Sequence, residues 1–305
     1  MASGHKACQG CGAVLAMRYA LKALGHGTSL IVPACCWTVL EGEYPWSVMR
    51  VPLLHTAFET AAATASGVRA AQRMRGEDHS SHVLAWAGDG GTFDIGIQAL
   101  SGAAERNEDI IYVCYDNEAY MNTGIQRSSA TPMGAWTTTT PRKAPESGGK
   151  KDIVQIMVSH GIPYVATASI GYPEDFYNKM LKVRDIRGTR FVHVLAPCPA
   201  GWKSSPSHTV ALGKLAVQTR IFPLLEVEGG QWTVQKRPAK PKPVEEYLKL
   251  QGRFRHLSDE AVASIQEHTD KRWHFLLKME QLTNDRPLET PSEDSARVSS
   301  SCGSG

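Results

Sequence analysis

Apolar residues in the first two-thirds of the chain fall into two alternating patterns. Val14, Met17, Leu21 and Leu24 recur at helical spacing and stop at Gly25 and Gly27. Ser29 to Val32 is instead a short, largely apolar run closed by Pro33. The exchange then repeats. An Ala-rich stretch from about Thr56 to Met74 predicts a helix ending near Gly76, followed by a strand over His82–Ala87. Ile95–Arg106 predicts a helix and Asp109–Tyr115 a strand. Further on, Asp152–Ser159 and Pro173–Arg187 predict helices, and Tyr164–Thr167 and Arg190–Ala196 strands. Short, uniformly apolar strands separated by helices predict an α/β fold, a mostly parallel sheet covered on both faces. No internal repeat is visible.

The last third changes character. Residues 224–228 and 231–235 flank Gly229-Gly230, the spacing of a two-residue hairpin. Lys236 to Pro243 is basic and proline-rich, a semi-extended arm that serves equally as a solvated linker or a partner-wrapping segment. Ser258 is placed to cap a helix carrying Val262, Ile265, Trp273 and Leu276. From about Asn284 the chain is polar, and a mobile tail is expected. The expected division is therefore an α/β domain over 1–223, a hairpin, arm and helix over 224–283, and a tail over 284–305.

Composition narrows the partners. Of 305 residues, 42% are hydrophobic, enough for a substantial core. The net charge of +3 is too small to suggest nucleic acid or a membrane surface. No run reaches the roughly 18 apolar residues of a spanning helix, and Met1 to Gln9 lacks an apolar signal core. A cytoplasmic protein is expected. There, seven cysteines imply reduced thiols or metal ligands rather than a disulfide framework.

In open parallel sheets, ligands gather outside the carboxyl ends of the strands. Four predicted strand ends carry unusual residues: Cys35-Cys36, Gly88-Asp89-Gly90-Gly91, Asp116-Asn117 and Pro197-Cys198-Pro199. A diphosphate needs backbone N–H groups at close range, which glycines allow, and a divalent cation on its oxygens. Magnesium favours oxygen ligands, so Asp89 and Asn117, 28 positions apart, suit it. Taken alone, the glycine run fits a plain turn about as well. Cys8-x-x-Cys11 alone fits zinc, a redox pair or nothing. Its place just before a helix would favour a negatively charged thiolate cluster. Cys35 and Cys36 are adjacent, and in an extended segment only one would face the site. Cys198 precedes a proline, as the last ligand of some ferredoxin motifs does. Together, four thiolates from three places would hold a [4Fe–4S] cluster. Cys114 reads as core, and Cys302 receives no role.

Three segments in order carry a family resemblance: Cys8-Gln9-Gly10-Cys11-Gly12, Gly88-Asp89-Gly90-Gly91 and Tyr115-Asp116-Asn117-Glu118-Ala119-Tyr120-Met121-Asn122-Thr123-Gly124. With Pro197-Cys198-Pro199-Ala200-Gly201-Trp202 and Val244-Glu245-Glu246-Tyr247, the chain resembles the β subunit of the pyruvate:ferredoxin oxidoreductase family over roughly residues 4 to 280. The resemblance implies a thiamine-diphosphate-binding fold with thiamine pyrophosphate, Mg2+ and one [4Fe–4S] cluster. It implies cluster ligation by Cys8, Cys11, Cys36 and Cys198, with Cys36 preferred because the family's third ligand lies 28 positions beyond the first. It implies magnesium on Asp89, Asn117 and the Ala119 carbonyl. Cofactor contacts are implied at Gly88, Gly90, Gly91, Asn122, Thr123 and Gly124, with Asn122 at the reacting end. Two departures stand out: the vicinal Cys35, and Ala13 where some relatives carry a carboxylate.

The implied reaction is oxidative decarboxylation of a 2-oxoacid with coenzyme A to acyl-CoA and CO2. Electrons would leave for ferredoxin or an NAD-linked subunit. Partners implied are an α subunit and γ, δ or ferredoxin-like subunits. Thiamine enzymes use a glutamate beside the cofactor, but Glu41, Glu43, Glu59 and Glu118 read as structural here. The resemblance assigns that glutamate to the partner subunit, so the chain alone is expected to be inactive. His55 and Glu59, one helical turn apart, read as a helix pair more readily than as cofactor contacts. Trp37, Trp46 and Trp136 are candidate walls for an aromatic substrate. Two rival readings are a non-redox thiamine decarboxylase or synthase, and a zinc-binding assembly subunit. Neither uses the cysteines and the Asp89–Asn117 pair together.

Overall fold

Alternate residues of one strand feed two separate cores. In His82–Gly88, Leu84 and Trp86 pack on one side of the sheet, while Val83, Ala85 and Ala87 pack on the other. That is the two-residue period of a strand buried on both faces, and it is why the segment is apolar without interruption. Each large side chain so buried contributes about 1.5–3 kcal/mol.

The computed structural model describes residues 1–43, 45–77 and 81–285. Helix α1 (Gly12–Leu24) leads into β1 (Thr28–Pro33), the short α2 (Trp37–Leu40) and β2 (Leu53–Thr56). Then come α3 (Ala61–Met74), β3 (His82–Gly88), a π-helical turn over Gly90–Ile95 and α4 (Ile97–Glu105). After β4 (Ile111–Asp116) follow α5 (Ile153–Ser159), β5 (Tyr164–Ser169), α6 (Pro173–Asp185) and β6 (Arg190–Leu195). Helices α7 (Pro199–Trp202) and α8 (Thr209–Gln218) precede the hairpin of β7 (Leu225–Glu228) and β8 (Gln231–Val234). Helices α9 (Val244–Leu248) and α10 (Asp259–Asn284) complete the described chain.

All eight strands join one sheet in the order β2-β1-β3-β4-β6-β5-β7-β8. The first six run parallel, and only β7 and β8 are antiparallel. Helices α1 and α6 cover one face, and α3, α4, α5 and part of α10 cover the other. The expected α/β architecture is therefore present. The hairpin at Gly229-Gly230 prolongs the same sheet, and α10 packs Trp273 and Leu276 into the same core as Trp232 and Val234. Ser258 caps α10, its hydroxyl accepting from the Ala261 N–H at 3.3 Å. No helix among the described residues is long and apolar enough to cross a membrane.

Two local expectations need correction. Residues 53–56 form an edge strand beside β1, and the helix expected from Thr56 begins at Ala61. The helix expected from Ile95 begins at Ile97, and Ile95 closes a π-helical turn that starts at Gly90. Helix α10 runs through Asn284; the tail expected over 284–305, Cys302 included, lies outside the described residues from position 286.

Candidate active site

The carboxyl ends of β1, β3, β4 and β6 share one rim, and a cavity of about 280 Å3 opens there. Its walls include Cys35, Cys36, Gly88, Asp89, Gly90, Gly91, Asn117 and Ala119, with Asn122 and Thr123 at the edge. These residues are far apart in sequence and meet because successive parallel strands end on one side.

Asp89 is the buried centre of this rim. Its Oδ2 accepts from the Ser128 hydroxyl at 2.6 Å, and its Oδ1 accepts from the Asn117 backbone N–H at 3.3 Å. The Asn117 side-chain amide lies 3.0 Å from both Asp89 Oδ1 and the Ala119 carbonyl, and its nitrogen, turned toward them, donates to both. With its oxygen turned inward instead, the three oxygens would suit a cation. Magnesium with ligands at about 2.0–2.1 Å and right angles would place neighbouring oxygens about 2.9 Å apart. Burial, with the nearby Asp116 charge behind it, pushes the Asp89 carboxyl well above the usual carboxylate range.

A paired charge network backs this centre. Lys150 bridges Asp116 and Glu118, the latter at 2.9 Å, and Arg253 reaches Glu118 at 2.5 Å. His193 Nε2 lies 2.6 Å from Asp116. Burial alone would raise the Asp116 carboxyl, but Lys150 and His193 outweigh it and hold it low. Burial would likewise lower the Lys150 ammonium, yet Asp116 and Glu118 hold it up at about 12.

The segment after β4 is clamped from several sides. The Tyr120 hydroxyl donates to Asp94 at 2.7 Å, and a Cβ at Gly90 would collide with the Tyr120 ring. Trp202 Nε1 donates to the Asn117 carbonyl at 2.7 Å, and a Cβ at Gly201 would strike Met121. The two motifs around Asn117 and Cys198 are therefore packed into each other. Thr123 donates to Gln126 at 2.5 Å. Gly124, at φ 116°, turns the chain and lies outside the cavity lining.

Cys35 and Cys36 line the same cavity, and two further cysteines stand near Cys36. Cys11 is the N-cap residue of α1 and makes no side-chain cap hydrogen bond; burial raises its thiol. Cys198 is the N-cap residue of α7, likewise without a side-chain cap hydrogen bond. Gly12 donates to the Pro197 carbonyl at 3.2 Å and leaves no room there for a Cβ, which sets Cys11 beside Cys198. Burial pushes the Cys36 thiol up to about 12, with Cys35, Cys198 and Cys11 adding to the effect. Cys198 is raised to about 11, chiefly by burial, with Cys11 and Cys8 contributing. Cys8 is exposed. Cys8, Cys11, Cys36 and Cys198 are thus electrical neighbours. Among the described residues no group of three or more His, Cys, Asp or Glu side chains is drawn tightly enough for a single metal ion.

The vicinal cysteines differ from expectation. Cys36 has helical angles, φ −53° and ψ −36°, so the pair sits on a bend and not in an extended strand, and both residues line the cavity. Burial raises the Cys35 thiol, with the Tyr115 hydroxyl the largest influence opposing it, whereas Cys36 is raised by burial and then by Cys35, Cys198 and Cys11. His55 and Glu59 do not form a helix pair: His55 lies on β2, 2.6 Å from Glu41. Glu43 pairs with Lys6 at 3.0 Å. None of Glu41, Glu43, Glu59 and Glu118 lines the cofactor-sized cavity. Nor do the three tryptophans: Trp37 is buried, Trp46 is 82% exposed, and Trp136 lies under Lys203 at 3.1 Å. Ser128 and Lys150 escaped the sequence reading, and Tyr120 and Trp202 stood in their motifs without a role, since no motif marks a residue whose role is to hold another.

Comparison with known proteins agrees with this geometry. Residues 36–194 match the family described as thiamine pyrophosphate enzyme, C-terminal TPP binding domain. The chain is 54% identical over 273 residues to pyruvate synthase subunit PorB of Methanothermobacter marburgensis, covering 88% of this chain and 94% of that one. It is 50% identical over 290 residues to ketoisovalerate oxidoreductase subunit VorB of Pyrococcus abyssi, covering 92% and 93%. The fold is similar to that of 2-oxoglutarate:ferredoxin oxidoreductase from Magnetococcus marinus, with a TM-score of 0.56 and 22% identity over 69% of this chain and 77% of that one. The chain belongs to the family of thiamine-pyrophosphate-binding subunits of 2-oxoacid oxidoreductases.

Proposed function

We propose that this chain is the thiamine-pyrophosphate-binding subunit of a hetero-oligomeric 2-oxoacid:acceptor oxidoreductase. The complex converts a 2-oxoacid and coenzyme A to acyl-CoA and CO2, and passes two electrons to ferredoxin or an NAD-linked subunit. The observation that carries the reading is the buried Asp89 carboxylate, set beside a glycine turn, the Asn117 amide and the Ala119 carbonyl in a cavity that Cys35 and Cys36 also line.

In this reading Asp89, Asn117 and the Ala119 carbonyl hold magnesium on the diphosphate. Ser128 fixes the Asp89 carboxylate through its 2.6 Å hydrogen bond. Gly88, Gly90 and Gly91 let the backbone come close, and Asn122 and Thr123 orient the groups at the cavity edge. Thiamine pyrophosphate, when bound, supplies the electron sink that loss of CO2 from a 2-oxoacid requires. Cys8, Cys11, Cys36 and Cys198 would hold a [4Fe–4S] cluster able to accept electrons one at a time. Cys36 is the third ligand in this reading, its thiol being acted on by Cys198 and Cys11. The glutamate that activates thiamine comes from a partner subunit, so the isolated chain is inactive.

Two relatives of similar identity carry different substrates in their names, pyruvate and ketoisovalerate, so the 2-oxoacid is set by the assembled pocket. A panel of 2-oxoacids on the whole complex, with a viologen acceptor and coenzyme A supplied or withheld, identifies it. Anaerobically purified chain is expected to carry about four irons. Cys198→Ser should lose iron and viologen reduction while still binding thiamine pyrophosphate. Zinc without iron in the wild type, or full electron transfer in the variant, overturns the cluster assignment.

A further inference from the structure

A second cavity, of about 360 Å3, lies apart from the first, between α9, the first half of α10 and the loops that carry Lys150 and Arg220. Its body is aromatic, built from Phe222, Tyr247, Phe254 and Phe275. Cations outnumber carboxylates in its lining. Three of those cations are matched. Lys150 pairs with Asp116 and Glu118, Lys271 with Glu267 at 2.7 Å, and Arg272 with Asp152 at 3.5 Å.

Arg220 is different. Its Nε is buried without a hydrogen-bond partner, and its guanidinium lies 4.7 Å over the Trp273 ring. It also sits at φ 64°, directly after the Thr219 C-cap of α8. That is the position where helices commonly end on glycine, because left-handed backbone costs a side-chain-bearing residue about 1 kcal/mol or more. Arg220 thus lines an aromatic chamber with its guanidinium over Trp273 and no carboxylate among the described residues paired to it, and an anion would complete it. A cavity of this size, apolar with a few convergent polar groups, is the usual form of a small-molecule site.

We propose that this second cavity binds an amphipathic carboxylate, its acid group on Arg220 and its apolar body among Phe222, Phe254 and Phe275. The site does not depend on the cofactor assignment, since no step of the proposed reaction uses it. A charged hydrogen bond of the ordinary kind makes the acid about tenfold or more tighter than its neutral isostere.

The test is calorimetric titration of octanoate into the whole complex loaded with thiamine pyrophosphate, so that the other cavity is filled. Saturable binding at one site per chain is expected, with octanamide and octylamine at least about tenfold weaker. Arg220→Gln keeps the side-chain stem and should weaken octanoate about tenfold while leaving octanamide unchanged. His268→Trp, at an exposed position on the cavity mouth, should block both ligands. Turnover of the 2-oxoacid should persist in both variants, which separates a failure here from a failure of the proposed function. Equal binding of octanoate and octanamide, binding untouched by either variant, or binding by the free chain that vanishes in the complex would overturn the proposal. The last result would mark the cavity as a seat for a partner subunit.

Discussion

The two ends of the central sheet hold buried aspartates in opposite conditions. At the amino end, Asp109 meets Arg69 at 2.5 Å, Arg187 at 3.1 Å and Arg190. Burial raises its carboxyl, but Arg190 and Arg69 outweigh that and hold it below the usual range. At the carboxyl end, Asp89 has a hydroxyl and one backbone N–H but no cation in contact, and burial raises it. The same residue type, in the same sheet, is complete at one end and short of a positive charge at the other. The first arrangement serves the fold. The second fits the cation proposed for it.

The largest break in this contrast should come from Asp109→Asn. It strands the buried Arg69 and Arg190 charges and should cost about 3 kcal/mol or more in denaturant unfolding. Thiamine pyrophosphate affinity of the folded fraction should hardly change. The acid limb sharpens the point. Because Asp109 titrates lower in the folded state, its stabilisation is full above the unfolded value of about 3.9 and is lost as pH falls through the folded one. The variant should therefore show a flatter stability loss below about pH 4.

Asp89→Asn should do the reverse. Removing a buried, underpaired carboxylate should leave the melting temperature of the cofactor-free chain unchanged or higher. Magnesium-dependent affinity for thiamine pyrophosphate should fall about 100-fold or more, read by calorimetry. Loss of stability with affinity intact would show the two ends to be alike after all. Ser128→Ala, which removes only the hydrogen bond that orients Asp89, should weaken the same affinity about tenfold and leave iron content unchanged.

How much was legible in the sequence depended on whether a residue acts through its own chemistry. Asp89, Asn117, Cys11 and Cys198 stand in turns after recognisable strands, so type and position together exposed them. Lys150 lies in a segment without periodicity, yet it carries the charge that steadies Asp116 and Glu118. Tyr120 and Trp202 were visible inside their motifs, but their partners, Asp94 and the Asn117 carbonyl, lie 26 and 85 positions away. The expected helix takes in Thr56, and nothing marks Leu53–His55 as strand, because a strand of that length on an edge shows no alternation to count.

By itself, the order of apolar runs and helical stripes determined a parallel α/β sheet, since only burial on both faces makes such strands favourable. It also determined the residue types at the strand ends. Tertiary structure alone decided which of those ends touch, that Cys35 and Cys36 both line the cavity, and that Asp109 is neutralised while Asp89 is not. The reason is physical: a side chain's charge state and reach depend on neighbours brought in by the fold, and linear spacing does not encode them.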